Sequence, residues 1–194
     1  MEKGTLLLRV ESYVRDCMEE TEPGHDYLHI LRVRRMALRL GATVDCDILL
    51  VELLALLHDI EDPKLNKGHS VRCALESFDM DASLRESILQ ILPYLSFSKY
   101  PVLPDDFPIE GKIVSDADRL DAIGAIGVAR AFSYGGNKNR RMYGQNQSTI
   151  NHFDEKLLRL DKYLYIEESK RIAKSRMEFL RTFYDEFLSE IDER

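Results

Sequence analysis

Apolar residues recur along most of this chain at three- and four-residue spacing, the period of a helix buried along one face. Leu6, Leu7, Val10, Val14 and Cys17 mark one face of a first helix, which Pro23-Gly24 breaks. A second helix is predicted from about Asp26, carrying Ile30, Val33, Ala37 and Leu40 inward and stopping at Gly41. A third starts near Asp45, buries Leu49, Leu50, Leu53, Leu54 and Leu57, and ends against Pro63. Shorter helices are expected over 68–78, following Asn66, and over 81–92, from Asp81 to Pro93. The proline-rich stretch PYLSFSKYPVLPDDFP reads as an irregular loop.

Beyond that loop a long helix is predicted from about Glu110 to Ala131, with Ala122, Ala125 and Ala129 allowing close approach of a neighbour. SYGGNKNRRMYGQNQ reads as a Gly- and Asn-rich loop, and Ser148 or Thr149 can cap the helix after it. The last helix, about Glu167 to Ile191, carries Ile172, Met177, Phe179, Leu180, Phe183, Tyr184 and Leu188 on its apolar face. No run alternates at period two for long, no repeat is visible, and no shift of composition marks a boundary. The expectation is one all-α domain over residues 1–194, a helical bundle with the segment 148–194 packing on the rest.

Composition narrows the class. Of 194 residues 44% are hydrophobic and 31% charged, as in ordinary globular chains. The longest apolar run, Leu53 to Leu57, is far too short for a transmembrane helix. The opening MEKGTLLLRVESYVRDC, with Glu2 and Glu11 around its leucines, does not look like a secretory leader, so a cytoplasmic protein is expected. Net charge is −7, from 34 acidic and 27 basic residues, which disfavours a nucleic acid polymer as partner. Cys17, Cys46 and Cys73 are odd in number and widely spaced, and read as reduced, mostly buried small hydrophobes.

Five histidines are present, and His58 sits beside Asp59 at the end of the strongly apolar LVELLALLHDIED. Ionisable groups there stand at the edge of the core, where burial without a partner is costly. Two readings are open: His58 complements a helix C-terminus among solvated carboxylates, or His58 and Asp59 meet a cation over the seam between them. Asp62 follows His58 by four residues, so on a continuing helix it stands one turn along the same face. His29 in HDYLHILRV and Asp118 in SDADRLDAIGAIG are further polar groups beside apolar stretches.

Taken together, His29 in HxxRV, His58-Asp59 in LLHDI and Asp118 in DADRLDAIGA resemble the HD-domain superfamily of metal-dependent phosphohydrolases. The resemblance is densest over about 25–135 and, through ARAFSYGGNKNR and NHFDEKLLRL, is closest to small stand-alone bacterial members, some similar to nucleoside triphosphate pyrophosphohydrolases. It implies an all-α fold and four ligands, His29, His58, Asp59 and Asp118, around one divalent ion. Such a mixed N/O set suits Mn²⁺ (favoured), Fe²⁺, Co²⁺, Ni²⁺ or Mg²⁺. Asp62 matches a family carboxylate that orients or deprotonates water.

The HDIED sequence departs from the HDxxED of the stringent-response hydrolases, which weakens a transfer of alarmone specificity. Only His69 lies between the His-Asp pair and the last acid, so one ion is expected rather than two. Lys64 is a candidate phosphate contact, and Arg119, Lys138 and Arg141, with Arg140, are candidates for holding an anionic substrate. His25 and His152 are expected to support or cap, Asp116 and Asp121 to hold partner side chains, and Tyr94, Tyr100, Tyr134 or Tyr143 to stack on a base. The expected function is hydrolysis of nucleotides or related small phosphate esters, with a homodimer compatible. A non-catalytic ligand-binding module and an HD-fold iron oxygenase are the alternatives, the second disfavoured by the shortage of histidines.

Overall fold

Four helix starts in the first part of the chain carry a side-chain oxygen cap at the residue just before the helix. The computed structural model describes residues 2–18, 26–61, 68–144 and 148–192. Asp26 opens α2 (Tyr27–Gly41) by accepting from the His29 amide, and Asp47 opens α3 (Ile48–Leu57) by accepting from Leu49 and Leu50. Ser70 does the same for α4 (Val71–Ser77) at Cys73, and Asp81 for α5 (Ala82–Ile91) at Ser83 and Leu84. Each side-chain oxygen satisfies first-turn amides that have no partner inside the helix. The fold is all-α, and no strand occurs among the described residues. No described helix is long and apolar enough to cross a membrane.

The chain forms two compact units, Met1–Ala117 and Asp118–Arg194, a division that falls inside one helix. At the centre of the first lies α3, whose Leu50, Val51 and Leu53 through Leu57 are all buried. It packs against α1 (Lys3–Met18), α2 and α5. Leu49, expected inward, is half-buried, and α3 ends at Leu57 rather than continuing to Pro63. At that end the His58 ring nitrogen Nδ1 donates to the Ala55 carbonyl at 2.9 Å. Arg34 ties three helices together: its guanidinium reaches Glu52 Oε1 through Nε at 2.8 Å and Glu11 Oε2 through Nη1 at 3.0 Å. Tyr27 donates to the other Glu11 oxygen at 2.6 Å. After α5 a 3-10 turn (Leu92–Tyr94) leads into the expected loop, where Tyr94 packs on Tyr100 and Phe107, and then into α6 (Ile109–Asp121).

The single helix expected over Glu110–Ala131 is two. α6 stops at Asp121, Ile123 is extended, and α7 (Gly124–Asn137) begins at Gly124 with φ +74. Only glycine adopts that φ without strain. Arg176 donates to the Leu120 carbonyl and packs against Gly124, so a residue far along the chain finishes α6. α7 then runs through Ser133–Asn137, expected as loop; Gly135 is buried there because Thr149 occupies the space a side chain would take. α8 (Asn151–Glu155) starts with the Ser148 hydroxyl accepting from the Asn151 amide at 3.4 Å. A 3-10 segment (Leu157–Tyr163) and α9 (Glu167–Asp192) complete the second unit. Phe153, Met177 and Leu180 are buried in its core, and the half-buried rings of Phe132 and Phe183 pack against Phe153. Phe179, placed on the apolar face by periodicity, is 47% exposed. Of the three thiols, all free, only Cys17 is buried; Cys46 is half-buried and Cys73 exposed, contrary to the expectation.

Candidate metal centre

His29 stands in the first turn of α2, where Asp26 holds its amide at 2.9 Å, and the whole residue is buried. Packing of α2 on α3 brings it to the end of α3, where His58 and Asp59 leave the helix in a turn. The two imidazoles meet edge to face, centroids 5.3 Å apart, with Nε2 facing Nε2 at 3.3 Å. Asp59 closes the group: Oδ2 lies 3.3 Å from His29 Nε2, and Oδ1 lies 3.6 Å from His58 Nε2. Among the described residues these three form a group with one donor atom each, all within 4.8 Å of one another.

One hydrogen bond orients the His58 ring. The Ala55 carbonyl can only accept, so His58 Nδ1 carries a proton, and Nε2 is the ring nitrogen that faces the centre. Two imidazole Nε2 atoms and a carboxylate, 9% exposed at Asp59, therefore converge. Donors bound to one divalent ion at about 2.0–2.3 Å, with angles between right and tetrahedral, lie roughly 2.8–3.8 Å apart. The Nε2–Nε2 separation and that from His29 to Asp59 Oδ2, both 3.3 Å, fall in that range, as does the 3.6 Å from His58 to the other Asp59 oxygen, and the N/O set fits Mn²⁺, Fe²⁺ or a similar ion.

The other candidates are distributed differently. Asp62, Lys64 and His25 lie outside the described residues. Asp118 is half-buried on the last turn of α6, in the second unit. Arg119 beside it is 2% exposed; its guanidinium donates to the Tyr163 carbonyl and lies over the Tyr165 ring at 5.3 Å. Asp121 holds Arg130 at 2.8 Å, and Asp116 is fully buried. Lys138 and Arg140 are exposed and stack against Tyr134, at 5.6 and 5.7 Å from its ring centre. Arg141 is exposed, and its carbonyl accepts from the Thr149 amide at 2.8 Å.

Two pairings near the centre were not legible in the sequence. Arg34, by bridging Glu11 of α1 to Glu52 of α3, links α2 to both helices one to two turns from His29 and His58. Glu61 accepts the Val71 amide at 2.7 Å. Neither pairing leaves a local signal, because the partners are ten or more positions apart.

The HD-domain family model matches residues 26–123. YpgQ of Bacillus subtilis is 34% identical over 183 residues, covering 90% of this chain and 88% of its own. The crystal structure of YpgQ in complex with ADP matches with a TM-score of 0.86 at 33% identity, covering 100% of this chain and 98% of that one. A Lactobacillus plantarum protein gives 0.90 at 31% identity, with 100% of both chains covered. An HD-superfamily hydrolase of Bacillus thuringiensis gives 0.78 at 32%, again over 100% of both.

Proposed function

Because the chain belongs to the HD-domain family of metal-dependent hydrolases, we propose that it is a phosphohydrolase of nucleotides, cleaving a nucleoside triphosphate between the α- and β-phosphates. The observation that carries the reading is the convergence of His29, His58 and Asp59 with both Nε2 atoms turned inward. When bound, a divalent ion, with Mn²⁺ favoured, supplies Lewis acidity that acidifies water and offsets phosphoryl charge. His29, His58 and Asp59 hold it; Asp118 is assigned as the fourth ligand on the sequence motif alone. Asp62 takes the proton of the attacking water. Lys64, Arg119, Lys138 and Arg141 are assigned, from sequence, to the negative charge of the substrate, where a fixed cation stabilises the developing charge. The nucleotide part of the reading draws on the ADP complex of YpgQ.

A panel of nucleoside triphosphates, diphosphates and simple phosphate monoesters, incubated with Mn²⁺-loaded protein, tests it. Nucleoside monophosphate and pyrophosphate from triphosphates are the expected products. Orthophosphate in place of pyrophosphate would move the cleaved bond to the terminal phosphate. Metal-loaded protein that hydrolyses no nucleotide would overturn the proposal.

A further inference from the structure

A helix as short as α4 depends on acceptors outside itself for its first amides. Ser70 serves the Cys73 amide at 3.4 Å and leaves the amide of the buried Val71 to another acceptor. Glu61 supplies it, with Oε1 2.7 Å from the Val71 nitrogen. α4 is tied to α1 at both ends, since the Tyr13 hydroxyl donates to the carbonyl of Ser70, just before its first residue, at 3.4 Å, and the Tyr13 ring meets Phe78, just after its last, edge-on at 6.3 Å. Burial pushes the Tyr13 phenol up, so it stays a donor at any ordinary pH.

Glu61 also stands two residues beyond Asp59, at the far end of the turn that follows α3. The near end of that turn is held by the Ile60 amide on the Leu57 carbonyl at 3.2 Å and by the buried Ile60 side chain. We propose that Glu61 is a positioning residue for the metal centre: by accepting the Val71 amide it locks the His58–Glu61 turn, with Asp59 inside it, onto the frame of α1 and α4. The inference rests on the reading that His29, His58 and Asp59 hold the ion. It gives Glu61 a role through geometry, distinct from charge at the ion or proton transfer to substrate.

Mn²⁺ titration of the metal-free full chain, read by electron paramagnetic resonance of the free ion, tests the proposal together with hydrogen exchange at the Val71 amide. Glu61→Ala is expected to weaken Mn²⁺ binding by about tenfold, the lower end of the range for residues that orient ligands, and to speed exchange at Val71. Glu61→Gln keeps an oxygen acceptor and is expected to stay within about threefold of wild type. Val71→Pro deletes the donor and leaves the carboxylate. Proline suits a first helical position, and Ser70 already has the extended backbone required before it (φ −122, ψ 118). It is expected to match Glu61→Ala, and the double variant to be no weaker than either, as for two changes that break one interaction. Glu61→Gln as weak as Glu61→Ala would show that charge matters, and would overturn the proposal. So would Val71→Pro binding like wild type, or Glu61→Ala leaving affinity unchanged. Should Glu61→Ala fail to fold, the glutamine and proline variants still decide between the outcomes. Wild-type protein that binds no Mn²⁺ would instead overturn the metal reading, and Val71 exchange in Glu61→Ala would still report on the clamp.

Discussion

Replacing Gly127 by alanine puts a methyl group where the backbone of the preceding segment already lies. A Cβ at Gly127 would stand 2.3 Å from the Ala122 carbonyl oxygen and 2.4 Å from its carbon. These are backbone atoms at the joint between α6 and α7, so no side chain can swing aside, and the joint itself must open. Overpacking costs about 1–3 kcal/mol, and this site belongs at the upper end. Alanine recovers roughly 1 kcal/mol of helix propensity over glycine, leaving a net loss of about 2 kcal/mol. For a chain of this size that lowers Tm by about 4–8 °C. Gly136, in the same helix, is the control: nothing lies within 4 Å of its Cβ position, and its φ is not in the left-handed region. Gly136→Ala should gain about 0.4–1 kcal/mol and raise Tm by about 1–4 °C. Thermal unfolding of metal-free wild type and both variants, followed by circular dichroism, measures the pair. Gly127→Ala as stable as wild type, or Gly136→Ala less stable, would refute the account of the α6–α7 joint.

Three further outcomes are expected. Asp59→Ala should lose metal retention while keeping the helical spectrum, checked by elemental analysis and circular dichroism on one preparation; full occupancy would refute the ligand assignment. Asp62→Asn should lower kcat by roughly 10²–10⁴-fold, the usual worth of general acid–base catalysis, with metal stoichiometry unchanged; turnover within a few-fold of wild type would leave Asp62 a solvated group. The Tyr27 hydrogen bond, and after it the Arg34 charge, outweigh burial and hold the Glu11 carboxyl below its ordinary value of 4.5. A group depressed in the folded state contributes stability that is complete above the ordinary value and is lost as pH falls through the lowered one. Glu11→Gln should therefore flatten the fall of stability below about pH 4.5, measured by urea unfolding across pH; an unchanged slope would contradict the role of the Glu11–Tyr27–Arg34 group.

Much of the helical order was legible because its signals are short-range. Asp26 sits one residue before α2 and Asp81 one before α5, and a cap is a bond between neighbours along the chain. Leu6, Val10 and Val14 on α1 lie on one buried face as their spacing predicts. Periodicity carries α3 on towards Pro63, since nothing before it looks like a stop, whereas the helix ends at Leu57, where the His58 ring turns back onto the Ala55 carbonyl. α6 and α7 likewise look continuous in the sequence, because Ala122, Ile123 and Ala125 read as helix formers. Phe179 has the right period for the apolar face of α9, yet period alone does not say how wide the covered stripe is.

The residue types of the centre and their order belong to the sequence: His29, then His58-Asp59, each beside an apolar stretch whose burial could be foreseen. Its all-α class and the starts of α2 and α5 belong there too, since caps and periodicity are written within a few residues of where they act. Tertiary structure alone decided that two Nε2 atoms from residues 29 positions apart meet at 3.3 Å, and that a carboxylate joins them. It alone set Arg176 on the carbonyl of Leu120, 56 positions away, and Glu61 on the amide of Val71. Those distances come from how whole helix faces seat against one another, a sum of many weak apolar contacts that no short window of sequence contains.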